Sequence, residues 1–285
     1  MVKATAADKP ASTTRIGPKS AAKPVSSAKV ANPKLKGAAF ADSQPAKPKS
    51  AQRPIDLYYW PTPNGWKVSI MLEECELPYV MRPVNIGKGQ QFEPTFLKVA
   101  PNNRIPAIVD PDGPGDKPIA IFESGAILQY LGRKTGKFYP EKERERTEVD
   151  QWLFWQVGGL GPMAGQANHF RNYAAEQIKY AIDRYTNEVR RLYGVMNRRL
   201  QDREYLAGKY SIADIASWGW IVSYQLQGQN LDEFQSLKAW FERVAARSGV
   251  QKGFALGREL RQNQQIDLRP GADPRRTPLG PRTRP

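Results

Sequence analysis

Hydrophobic positions in the first part of the chain form short runs separated by turn residues, and the sharpest junction lies within Ile55 to Cys75. Ile55 to Tyr59 has the β-branched and aromatic content of a buried strand, and Thr62 followed by Pro63 predicts a helix start, an N-cap hydroxyl with proline at N1. Val68, Met71, Leu72 and Cys75 then repeat at i, i+3, i+4 and i+7, which predicts one buried stripe on that helix. A strand that runs straight into a helix aims the helix's free N–H groups and positive dipole end into the turn, where a thiolate, carboxylate or phosphate is stabilised. A bound anion is expected beside Thr62 and Asn64. On these residues alone, a plain cap and a filled turn fit the pattern equally well.

Tyr79 to Asn85 predicts a second strand, and residues 87–101 a loop with a short helix. Pro106 opens the apolar run Ile105 to Val109, where its missing N–H is tolerable at a strand start or with an unusual peptide geometry such as a cis Ile105-Pro106 bond. Ile119 to Phe122 predicts a fourth strand. Glu123-Ser124 follows at once, and Ala126, Ile127, Tyr130 and Leu131 carry a helix to Gly136. From Glu143 the pattern is helical, with a break expected at Gly158 to Pro162 and a long helix over about Glu176 to Leu200. Ser211 with Asp214 three residues on is a capping-box variant, and Ile215, Trp218, Gly219 and Ile221 behind it predict a helix buried almost all round.

Charge changes the picture at the ends only. Of the formal +15, residues 1–54 carry 11 Lys+Arg against 2 Asp+Glu and residues 258–285 carry 7 against 3, leaving +2 for residues 55–257. Nucleic acid or another acidic partner is therefore expected through the tails or not at all. Residues 1–53 hold almost no large apolar side chains and are expected to be disordered, as is the Arg/Pro-rich end. With only Arg15 and Arg53 in the N-terminal stretch, a transit peptide is not favoured. One cysteine, Cys75, and one histidine, His169, exclude a disulfide framework, a cysteine-based zinc site and a histidine cluster, so no metal is expected. Cys75 lies on the apolar stripe and reads as a small buried hydrophobe rather than a reactive thiol. No run approaches the roughly 18 apolar residues of a membrane span, and a soluble, cytoplasmic protein is expected.

Pro61-Thr62-Pro63-Asn64-Gly65, Pro101-Asn102-Asn103, Phe122-Glu123-Ser124-Gly125-Ala126-Ile127 and the run from Gln151 to Met163 occur in this order. Together they resemble the glutathione transferase superfamily, in particular its bacterial nu class, over about residues 54–257. The resemblance implies an α/β thioredoxin-like N-terminal domain, residues 54–138, and an all-α C-terminal domain, residues 139–257. Residues 1–53 and 258–285 form the two tails.

The resemblance also implies a site. Thr62 and Asn64 would donate hydrogen bonds to the sulfur of glutathione, the co-substrate, and serve as the catalytic residues. The backbone of Ile105, ahead of Pro106, would pair with its cysteinyl part, and Glu123 and Ser124 would hold the γ-glutamyl ammonium and carboxylate. Gln91 is the candidate for the glycyl end, and Arg184, or else Arg171, for a second glutathione. His169 has no clear task, and Tyr59 is an alternative sulfur ligand. The implied activity is glutathione-dependent disulfide reduction by thiol–disulfide exchange, in a homodimer acting on small disulfides or using glutathione disulfide. Two alternatives stand beside it. One is glutathione conjugation to small electrophiles in an apolar pocket drawn from Trp60, Trp66, Phe154 and Met163. The other is a non-catalytic binding module that docks an acidic partner through its basic tail.

Overall fold

The computed structural model describes residues 52–262. The tails expected at residues 1–53 and 258–285 therefore lie largely outside the described residues. Strand β1 (Ile55–Tyr59) leads through a three-residue turn into α1 (Pro63–Cys75), which returns to β2 (Tyr79–Pro83). Because a helix makes the crossover, β1 and β2 run parallel. A 3-10 turn and the single-turn helix α2 (Pro94–Leu97) precede β3 (Ala107–Asp110), β4 (Ile119–Phe122) and α3 (Ser124–Thr135). The sheet order is β2-β1-β3-β4, with β3 antiparallel to both neighbours and Ile108 opposite Leu57 and Ile121. This four-stranded mixed sheet with its helices is the expected thioredoxin-like unit. Ile55, Leu57 and Tyr59 point to the main core, whereas Tyr58 packs its ring 5.9 Å from Phe96 on the opposite face.

Helices follow to the end of the described residues: α4 (Glu143–Trp155), α5 (Gly161–Asn168), α6 (Lys179–Arg199), α7 (Ile212–Ile221), α8 (Gln235–Ala245), α9 (Ser248–Ala255) and α10 (Arg258–Gln262). The Ser211 cap forms as expected: Ser211 N–H donates to Asp214 Oδ2 at 3.0 Å, and Asp214 Oδ1 accepts from Leu206 N–H at 3.0 Å and Trp240 Nε1 at 2.8 Å. Burial pushes the Asp214 carboxyl up to about 6, against these hydrogen bonds, which favour its charged form.

Three expectations change. Helix α1 is buried on nearly every side, from Gly65 to Leu72, rather than along one stripe. The reason is tertiary: α3, α7 and α9 all pack on α1, and its apolar side chains share one core with Ile55, Leu57 and Ile108 of the sheet. Ser69 Oγ donates to the Gly253 carbonyl at 2.7 Å, and Gly253 lies against the α1 backbone at Ile70, where a Cβ has no room. Arg247 completes the contact with a two-point ion pair to Glu74, at 2.7 and 2.8 Å. Second, Gly158 to Pro162 does not break the helix. A π turn over Gln156–Leu160 carries α4 directly into α5. A Cβ on Gly161 would lie 2.7 Å from Gln156 Nε2 and 3.3 Å from the Trp220 ring, so only glycine lets this turn close against α7. Pro162 falls in the first turn of α5, where the ladder has already shifted and its missing N–H is tolerated. Third, the segment limits move: β2 ends at Pro83, β3 begins after a cis Ile105-Pro106 bond, and α6 begins at Lys179.

Candidate functional site

At the junction of β1 and α1, Thr62 is extended (φ −129°, ψ 164°) and its Oγ1 accepts from Gly65 N–H at 3.2 Å, so it caps the helix as the sequence predicts. A hydroxyl that accepts from the backbone keeps its own proton for a donor role outside the helix. Gly65 is required here because a Cβ would overlap the Trp60 carbonyl oxygen and the Tyr59 ring. Asn64, two residues into the turn, lines a cavity of about 230 Å³ together with Arg104, Ile105, Pro106, Phe122, Glu123 and Ser124.

The opposite wall is the β4–α3 junction. Glu123 holds φ 69° and ψ 114°, a conformation that costs a residue with a Cβ and whose strain points to a functional position. Its exposed carboxylate accepts from Asn102 Nδ2 at 3.3 Å. Ser124 is buried at the start of α3, where unpaired N–H groups meet the cavity. A Cβ on Gly125 would lie 3.3 Å from Val157, so the π turn supports this first turn of α3 directly. The cavity thus offers a carboxylate, a hydroxyl, a helix N-terminus and an amide side chain. That set suits a zwitterionic ligand whose ammonium meets Glu123 and whose carboxylate meets Ser124.

Five of the eight sequence-derived site residues, Asn64, Ile105, Pro106, Glu123 and Ser124, therefore surround one cavity, and Thr62 lies two residues from Asn64. Gln91 is not among the lining residues; its Nε2 donates to the Ile86 carbonyl at 3.4 Å in the preceding loop. Arg184 is exposed on α6. Arg171 packs its guanidinium against Gly228, 2.6 Å from where a Cβ would sit, in the turn after α7, and is not among the residues that line the cavity. His169 is exposed and stacks edge-on with Phe170. Tyr59 does not fit the sulfur-ligand role: it is fully buried and its hydroxyl donates to the Leu256 carbonyl at 3.2 Å. Trp60 and Trp66 belong to the core while Phe154 is 64 % exposed, so these three line no common pocket. Cys75 is buried beside Thr135, and burial pushes its thiol pKa up, which disfavours the thiolate that a nucleophile needs.

Arg104 and Phe122 on the cavity wall, and the buried Lys67 that donates to Ser124 Oγ behind it, were missed. The first two adjoin predicted positions and could have been found by extending Pro101-Asn102-Asn103 by one residue and Glu123 back by one. Lys67 carries no such signal, since a lysine on a surface helix normally reaches solvent.

Models of known families match two parts of the chain: the glutathione S-transferase N-terminal domain over residues 62–134, which contains every residue lining this cavity, and the glutathione S-transferase C-terminal domain over residues 162–248. The chain belongs to the glutathione S-transferase family. Within that family it is 52 % identical over 195 residues to the disulfide-bond oxidoreductase YfcG of Escherichia coli, covering 68 % of this chain and 91 % of that protein. A glutathione transferase of Burkholderia graminis, solved with two glutathione molecules per subunit, is 42 % identical, with a TM-score of 0.69 over 72 % of this chain and 88 % of that one. A glutathione transferase of Pseudomonas putida, solved with one glutathione disulfide per subunit, is 41 % identical, with a TM-score of 0.69 over 74 % and 94 % of the two chains. Among the described residues, no helix is long and apolar enough to cross a membrane, and no cluster of metal-ligating side chains occurs.

Proposed function

We propose that this glutathione S-transferase family member is a glutathione-dependent disulfide reductase. The observation that carries the reading is the convergence of Asn64, Ile105-Pro106 and Glu123-Ser124 on one cavity at the start of α1, in a chain whose sole cysteine is buried. Both reacting sulfurs then come from ligand and substrate. The similarity to YfcG and to transferases that hold two glutathiones or one glutathione disulfide supports the same chemistry.

Glutathione lies with its γ-glutamyl arm in the cavity, its backbone beside Ile105 and its sulfur at the α1 turn, where Thr62 and Asn64 donate to the thiolate. That thiolate attacks one sulfur of the substrate disulfide, and the departing sulfur leaves as a thiolate that takes up a proton. A second glutathione thiolate then attacks the glutathione sulfur of the mixed disulfide. Glutathione disulfide forms and the second substrate thiol is released, so two glutathiones are oxidised for each disulfide reduced. Gln91 is assigned to the glycyl end and Arg184 to the carboxylate of the second glutathione. The working unit is a cytoplasmic homodimer, with residues 54–138 as the glutathione-binding domain and residues 139–257 as the helical one. Exposed Phe92 and Phe154 are available to a second copy.

The test is glutathione-coupled reduction of a small model disulfide measured beside conjugation of an aryl halide, with and without residues 1–53. Reduction far above conjugation, independent of the tail, is expected. Dominant conjugation would replace this reading with transferase chemistry.

A further inference from the structure

Lys67 follows Asn64 by three positions on α1, one helical turn further along the same face. It is 2 % exposed, because the helices that enclose α1 leave its side chain no route to water. Its Nζ crosses instead to the start of α3 and donates to Ser124 Oγ at 3.3 Å. Ser124 lines the cavity, so this ammonium lies directly behind the wall that faces a ligand. A buried cation with a neutral hydroxyl as its partner is a costly arrangement. Desolvation holds the Lys67 pKa down to about 7, and the Glu123 carboxylate opposes that shift. At the Lys67 end of α1 the other helices packed on it present uncharged groups, Gly219 of α7 and Gly253 and Phe254 of α9, and the charged pair of Arg247 with Glu74 lies seven residues further along α1. Arg104, across the cavity, is exposed.

The chemistry of the pair gives the arrangement a use. An ammonium only donates, so a protonated Lys67 occupies a lone pair of Ser124 Oγ and leaves the hydroxyl proton to point elsewhere. A neutral amine can accept that proton and draw the hydroxyl away from the cavity. We propose that Lys67 is the positioning residue of the carboxylate subsite, orienting the Ser124 hydroxyl toward the α-carboxylate of the γ-glutamyl group and supplying that carboxylate's counter-charge from behind. This rests on the reading above that Ser124 receives that carboxylate. Binding an anion favours the charged amine, so at pH 7.5 the ligand brings a proton with it from solvent onto Lys67 Nζ.

The experiment is calorimetric titration of the full chain with S-methylglutathione, whose blocked sulfur has no proton to release, in two pH 7.5 buffers of different ionisation enthalpy. A second ligand, the same compound lacking the γ-glutamyl α-carboxylate, controls for the ligand's ammonium. Net proton uptake is expected with the first ligand and not with the second, a result that needs no variant. Lys67→Met is expected to bind S-methylglutathione about tenfold to a hundredfold more weakly, without proton uptake, and to bind the decarboxylated ligand as the unmodified protein does. Equal proton uptake with both ligands, no uptake with either, or an equal loss of both affinities in Lys67→Met would overturn the inference and leave the proposed activity standing. Failure of the unmodified protein to bind S-methylglutathione would remove both.

Discussion

A Cβ placed on Gly219 of α7 would lie 3.1 Å from the carbonyl oxygen of Pro63 at the start of α1 and 3.3 Å from the Trp66 ring. The helical half of the chain therefore touches the backbone of the turn that carries Thr62 and Asn64. Gly219→Ala is expected to press that turn outward and cost about 1–2 kcal/mol of stability. The accompanying result is a several-fold loss of disulfide reduction, read from thermal unfolding and steady-state rates. Unchanged kinetics in a destabilised variant would mean that the turn tolerates the displacement.

Asn64→Ala is expected to lower turnover by about tenfold or more while changing glutathione KM much less. A hydrogen bond to a charged sulfur is worth about 1.5–3 kcal/mol, whereas most of the ligand-binding groups lie at Ile105, Glu123 and Ser124. Steady-state kinetics with varied glutathione measure the split. Equal losses in both parameters would contradict this division of roles.

Tyr59→Phe is expected to leave reductase activity within about twofold of the unmodified protein and to cost about 1 kcal/mol of stability through the lost bond to Leu256. A collapse of activity with the fold intact would return Tyr59 to the sulfur.

Lys67 makes folding pH-dependent in a direction opposite to that of a surface lysine in a salt bridge. Its folded-state pKa of about 7 lies below the ordinary value of 10.5, so between these limits the unfolded chain binds more protons and stability rises with pH. Lys67→Met, close to it in volume, is expected to remove that slope. Without ligand the variant should be more stable by on the order of 4 kcal/mol at pH 6, with the gap closing toward pH 10.5. Denaturant unfolding at three pH values measures it; a variant less stable at pH 6 would show that the amine is better accommodated than its burial implies.

Local chemistry made much of this structure legible in the sequence. Thr62-Pro63, Ser211 with Asp214, and Gly136 mark helix ends by effects that act within a few residues, and each formed where expected. The Glu123-Ser124 junction was legible as a helix start directly after a strand, and its ligand role only through the resemblance to glutathione transferases. Distant contacts were not legible. Helix α1 looks one-sided until α7 and α9 are known to enclose it, and Gly158 to Pro162 looks like a break until the need to approach Trp220 is known. Lys67 was missed for the same reason, because a polar residue opposite an apolar stripe reads as solvated unless a third helix covers it. The packing of Arg171 on Gly228 was likewise not legible, since its proximity to His169 gave no hint of it.

The bond from Ser69 to the Gly253 carbonyl spans 184 positions of the chain. During synthesis, the helix that carries the site is made well before the α9 residues that cover its flank. A nascent chain stopped before Gly253 leaves a flank of α1, including Ser69 and Ile70, open to water or to a chaperone. The enclosure of the helix that carries the site thus waits on residues made long after the site's own.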